Sequence, residues 1–155
     1  MALKFAAPWV HYAAILLVGF ILGASLSTDT KPRSLLSVGD CHATCARFSD
    51  IAGYLASIGI QKFPSAVPLV VKESDTCIAI RHPYSPQHYH FVFFPKRDIR
   101  NIGDISAGDE KYVLGCLAMI GSMIREKKMD SYRVYSNGPL EQEITYLHFH
   151  LVSDL

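Results

Sequence analysis

The last stretch of the chain, Ile144-Thr145-Tyr146-Leu147-His148-Phe149-His150-Leu151-Val152, restricts the fold more than any other. β-Branched and aromatic residues dominate it, and polar and apolar side chains alternate, which predicts a β-strand with one buried face. Residues two apart in a strand share a face. Leu147, Phe149 and Leu151 are therefore expected to enter a core, with Tyr146, His148 and His150 projecting together from the other side. A sheet gains little from two imidazoles and a phenol side by side unless they bind something. One reading is a solvated face of an edge strand. The sharper reading is a site that handles an anion or a phosphate.

The 155 residues fit one domain with its own core. A net charge of +1 offers no electrostatic case for a nucleic-acid polyanion, so no nucleic-acid partner is expected. The chain holds seven histidines, and His82, His88, His90, His148 and His150 fall in two short stretches. Cys41, Cys45, Cys77 and Cys116 have spacings that define no disulfide framework.

Much of the hydrophobic content lies near the start. Residues 5 to 26 contain no lysine, arginine, aspartate or glutamate. About 20 helical residues span a ~30 Å hydrocarbon layer, and Trp9 and Tyr12 sit where interfacial aromatics are expected. The first reading is thus a tail over 1–8, a single-pass transmembrane anchor over 9–26, a linker over 27–38 and a folded domain over 39–155. A cleaved signal peptide is the rival, with Lys4 as the basic start, Gly23-Ala24-Ser25 as the cleavage site and export as the result. A buried core helix is the third possibility. Lys4 on one side against Lys31 and Arg33 on the other leaves the orientation nearly tied.

Within the domain, residues 40–59 read as a helix with Asp40 as N-cap and Gly59 at its end. Strands are predicted over Val67–Val71, Thr76–Arg81 and Tyr89–Phe94, with a polar turn at 72–75 between the first two. Ser106–Met129 is the clearest helix, opened by the Ser106/Asp109 capping signal and striped by Val113, Leu117, Ile120 and Ile124. A strand over Tyr132–Tyr135 and a turn at Ser136-Asn137-Gly138-Pro139 precede the terminal strand. His82 and His88 read as loop histidines in water.

Tyr-Leu-His-Phe-His-Leu-Val resembles the His-φ-His-φ-His-φ-φ signature of the histidine triad (HIT) family of nucleotide hydrolases and transferases, with Tyr146 in place of the first histidine. The segment 77–99 is similar to the family's first long block, which Ser85, Pro86, His90, Pro95, Lys96 and Ile99 match. Asn137, Gly138 and Gln142 match the approach to the triad. The departures are Pro83 in place of the acidic residue that grips the ribose, Asp98 in place of a histidine, Glu141 in place of glycine and Glu143 beside the phosphate. The loop between Ser85 and His90 is also one residue short.

The resemblance implies an α+β, HIT-like fold: a mainly antiparallel sheet of about five strands with one long helix packed on it. It implies catalysis by His148 as nucleophile on an α-phosphorus, with His150 and His90 stabilising charge and Tyr146 keeping one hydrogen-bond donor. Ser85, Asn137 and Gln142 would contact a nucleotide or nucleotide conjugate. No cofactor and no catalytic metal are expected. Family members often hold zinc through a Cys-x-x-Cys pair and two histidines; here Cys41-x-x-x-Cys45, His90 and Tyr146 make a poor set, and a Cys41–Cys45 disulfide or buried thiols are the other options. A homodimer through the long helix is implied as well. A lipid-nucleotide hydrolase similar to CDP-diacylglycerol pyrophosphatases, and a catalytically weak nucleotide-binding or scaffold protein, are the alternatives.

Overall fold

The computed structural model describes residues 8–26, 29–31 and 48–154. The cysteine pair Cys41/Cys45 and the N-cap Asp40 lie outside these residues.

Five strands form one antiparallel sheet in the order β1-β2-β3-β5-β4. They are β1 (Val70–Glu73), β2 (Cys77–Arg81), β3 (Tyr89–Pro95), β4 (Arg133–Tyr135) and β5 (Phe149–Ser153). Phe91, Phe93, Phe149 and Leu151 point to one face. There they meet Cys116, Met119, Ile120 and Met123 of α3 (Glu110–Lys127). The alternate residues Ile78, Val92 and Phe94 point to the opposite face and pack with Ile60 of α2 (Phe48–Lys62) and with Tyr146. The middle of β3 is thus buried on both sides, which explains its uninterrupted apolar sequence. This is the α+β architecture expected, a five-stranded antiparallel sheet with one long helix packed on it.

Two glycines set how closely the helices approach. A Cβ on Gly115 of α3 would stand 2.0 Å from the Thr76 hydroxyl at the start of β2. One on Gly53 of α2 would stand 2.5 Å from the Thr145 hydroxyl. The Thr145 N–H and hydroxyl both donate to the Ser49 carbonyl, at 3.0 and 3.2 Å. The start of α2 therefore grips the chain just before the histidine strand.

A disulfide joins Cys77 of β2 to Cys116 of α3, and both residues are fully buried. The two cysteines are 39 positions apart, so their partnership is tertiary and the spacing does not reveal it. Closing a loop of that size contributes about 4 kcal/mol in the chain-entropy account.

Several boundaries shift. α2 continues past Gly59 to Lys62. β1 begins at Val70, not Val67, because Pro64–Ala66 forms a 3₁₀ turn and Leu69 adopts φ +61°. The hairpin turn moves with it, and Ser74 closes it by accepting the Cys77 N–H at 3.1 Å. α3 begins at Glu110, four residues after Ser106, and the capping signal works in reverse. Asp109 accepts from the Ser106 N–H and hydroxyl, at 3.0 and 2.8 Å, tying down the entry loop. The terminal strand also starts late, at Phe149, since the Tyr146 N–H turns back to the Ile144 carbonyl at 2.8 Å.

At the N-terminus, α1 (Pro8–Leu26) forms over the expected segment and touches the domain through Phe20 and Phe63, whose rings lie 5.7 Å apart. The spanning anchor over 9–26 is not supported: among the described residues no helix is long and apolar enough to cross a membrane. Trp9, His11 and Tyr12 shorten its aliphatic run. Within the expected linker, residues 29–31 lie against the domain. The Lys31 N–H donates to Asp98 at 2.7 Å, and Asp29 pairs with Arg97. Asp98, fully buried, thus anchors the approaching chain.

Candidate active site

On the α2 side of the sheet, the part that α2 leaves uncovered is a cleft of about 600 Å³. His90 reaches it from β3, His150 from β5 and His148 from the residue before β5. The register pairs Val92 with His150 and His90 with Val152, so both imidazoles share one face at neighbouring positions. His90 Nε2 lies 2.9 Å from His150 Nδ1. The His148 and His150 rings meet edge to face at 4.9 Å.

The His148 Nδ1–H donates to the Tyr146 carbonyl at 2.6 Å. A carbonyl only accepts, so this contact fixes the tautomer and leaves Nε2 with its lone pair. Gln142, buried nearby, donates to the same carbonyl at 3.4 Å. Burial lowers the His148 pKa, against the upward pull of this hydrogen bond and of Glu143.

His90 and His150 are shifted further. Burial, aided by the neighbouring His82, lowers His90 to about 4. Burial, then the neighbouring His148, His90 and His82, lowers His150 to about 3. His90, His148 and His150 are therefore neutral at pH 7. His150 Nε2 and His90 Nδ1 are buried without a hydrogen-bond partner. For His150 Nε2 to donate to a ligand, His90 must donate to His150 Nδ1 across the 2.9 Å contact.

The expected site residues divide. His90, His148, His150 and Asn137 line the cleft together. Tyr146, Ser85 and Gln142 do not. Tyr146 is fully buried, and its hydroxyl donates to the Pro95 carbonyl at 2.6 Å. Its side chain stays on the face of Val92 and Phe94 but packs into the core beside Ile60 of α2, with its ring 6.0 Å from that of Phe94, and does not reach the cleft. Ser85 closes its own loop by accepting the Gln87 N–H at 3.3 Å.

His82, expected in water, instead lines the cleft and stacks on His90 with ring centroids 4.3 Å apart and planes 6° from parallel. The signal was strand parity: His82 lies two and four residues beyond Ile80 and Ile78, on their face of the sheet. Tyr135 also belongs to the site, stacked on His150 at 4.7 Å. Its partner position opposite His150 follows only from the β4–β5 register. His88 is exposed, as expected. Among the described residues no group of histidine, cysteine or carboxylate side chains is arranged to hold a metal.

The family model described as "Scavenger mRNA decapping enzyme C-term binding" matches residues 59–154. A HIT family hydrolase from Legionella pneumophila Philadelphia 1 is 22% identical with a TM-score of 0.56, over 62% of this chain and 90% of that one. A histidine triad protein from Clostridium difficile is 24% identical with a TM-score of 0.54, over 69% and 92%. A HIT family hydrolase from Clostridium thermocellum is 18% identical with a TM-score of 0.56, over 63% and 90%. At these identities the likeness is one of fold. No curated protein matches the chain. With the sequence signature, the family model and the fold in agreement, the chain belongs to the histidine triad (HIT) family.

Proposed function

We propose that this protein is a nucleotide hydrolase or nucleotidyltransferase that works at an α-phosphate through a nucleotidyl-histidine intermediate. One observation carries the reading: His148 is held in one tautomer by the Tyr146 carbonyl and offers an unprotonated Nε2 inside a cleft. Attack on phosphorus forms an N–P bond as the leaving group departs with its electron pair and takes up one proton. Water then attacks the same phosphorus, restores neutral His148 and returns one proton. His150 donates to a non-bridging oxygen, and His90 orients it. Asn137 is the nucleotide contact that the cleft retains. No metal enters this scheme.

The test is mass spectrometry of the full-length protein, in detergent, after mixing with adenosine phosphoramidate. A nucleotidyl adduct, or turnover, that is lost in His148→Ala supports the reading. Folded wild-type protein that forms no adduct and releases no product overturns it.

A second reading, a lipid-nucleotide hydrolase, draws on a neighbouring apolar cavity of about 340 Å³. That cavity shares Ile80, Phe94 and Ile144 with the histidine cleft and has Phe63 on its lining. Turnover confined to detergent-dispersed CDP-diacylglycerol would select it. Membrane association through α1 is part of the proposal, since α1 exposes Trp9, Ile15, Leu16 and Phe20 and carries no lysine, arginine, aspartate or glutamate. Flotation with liposomes tests it. A homodimer is proposed on the exposure of Leu114 and Leu117 on α3, and light scattering after gel filtration reads it directly.

A further inference from the structure

The charge of the cleft does not suit a polyphosphate. Among its described lining residues stand four histidines and two carboxylates, Glu141 and Glu143, but no lysine or arginine. Both glutamates are exposed, and among the described residues neither meets a basic side chain within ion-pair distance. Tyr84, 91% exposed, stands on the same cleft and presents a π-face of the kind that attracts cations. The cavity inside this acidic rim has an unmet polar atom. His150 is 8% exposed, and its Nε2 is buried and unpartnered.

These features ask for different charges at different depths. The inner imidazoles accommodate one phosphate through hydrogen bonds. The rim disfavours further negative charge and favours positive charge, because carboxylates at short range act through a medium less polarisable than bulk water. Ribose and the common bases are neutral near pH 7, so in a conjugate of those bases the positive charge is carried by the group attached to the phosphate.

We infer that Glu141 and Glu143 select nucleotide conjugates whose leaving group is cationic, and reject polyphosphates. The inference rests on the His148 reading above and names the substrate class of that same site. In such a conjugate the P–N bond breaks as the His148 Nε2–P bond forms. The nitrogen keeps the bonding pair, takes one proton from solvent and departs as an amine whose second, distant ammonium is held by the rim.

The test uses full-length protein in detergent and three probes: adenosine 5′-phosphoramidate N-linked to 1,5-diaminopentane, the same nucleotide N-linked to pentylamine, and diadenosine triphosphate. The first two differ by one charge and almost nothing in shape. Wild type is expected to favour the diaminopentane conjugate about tenfold in kcat/KM at low salt, with the advantage fading at about 0.5 M salt. In Glu141→Gln/Glu143→Gln the ratio should fall to about twofold or less, and Glu143→Lys should reverse it. Equal kcat/KM for the two amine conjugates in wild type, an unchanged ratio in the double variant, or faster cleavage of diadenosine triphosphate overturns the inference and leaves the His148 mechanism standing. No adduct and no turnover with any probe removes the mechanism, and the inference with it.

Discussion

The two faces of the sheet are built from the same strands and differ by a single step in sequence. On one side Phe91, Phe93, Phe149 and Leu151 close against α3, and the Cys77–Cys116 disulfide pins the layers together. On the other, α2 covers Ile78 and Phe94, while His90 and His150 remain at an open cleft. The closed face makes the strands rigid, so that the open face can hold polar groups in strained company. Neutral imidazoles packed ring against ring are poor stabilisers, and their cost has to be met from the opposite layer.

This contrast is open to attack from both sides. The largest effect is expected from His148→Ala, which should lower nucleotidyl transfer by at least about 10³-fold while leaving the melting temperature close to wild type. Stopped-flow or single-turnover product release measures the first and calorimetry the second. Comparable activity in the variant would remove the open face from catalysis.

Next comes the closed face. Cys77→Ala/Cys116→Ala should lose about 4 kcal/mol in denaturant unfolding, yet turn over substrate at a temperature where it remains folded. Gly115→Val should lose about 1–3 kcal/mol, because its side chain would enter the space of Thr76. A closed-face variant that stays fully folded but inactive would show that the two faces are not separable.

The histidines themselves give a smaller, pH-dependent effect. His90 and His150 have folded-state pKa values of about 4 and about 3, both below the unfolded value near 6.5. Between those limits the unfolded chain binds more protons, so stability falls as pH drops from about 6.5 towards 4 and 3. The melting temperature should therefore fall between pH 7 and pH 5, and fall less in His150→Asn. An identical pH slope in that variant would mean other groups dominate.

The smallest effect is expected for Tyr146→Phe. It leaves the Pro95 carbonyl without its 2.6 Å donor and should cost about 1–2 kcal/mol. Activity should stay within about threefold, as the Tyr146 hydroxyl bonds the Pro95 carbonyl and does not line the cleft, and the substitution keeps the ring and the main-chain carbonyl. A loss of a hundredfold or more would return the tyrosine to the chemistry.

Alternation in the last strand was enough to separate Leu147, Phe149 and Leu151 from His148 and His150, and the structure keeps that separation. It also put Tyr146 on the histidines' face, where it packs with Val92 and Phe94, but alternation does not say what covers a face, and Tyr146 lies in the core beside Ile60 of α2 rather than in the cleft. His82 was misread as a loop residue because it sits just beyond the end of β2, where strand parity still holds, since its N–H bonds the His90 carbonyl at 2.9 Å. The disulfide and the Tyr135–His150 stack depend on which elements become neighbours, and local pattern carries no record of that. Asp98 and Glu143 were visible as departures from the family pattern, but only the structure supplies the Lys31 N–H that occupies the first.

The Tyr146 carbonyl, which holds the His148 ring, belongs to the main chain. Every amino acid brings the same oxygen to that position. Mutation can therefore rewrite the letter at 146, exchanging a histidine for a tyrosine, without erasing the instruction that the backbone passes to the next histidine. A lineage can drift at this site in the open, while the part of the message that matters travels in a script that codons do not spell.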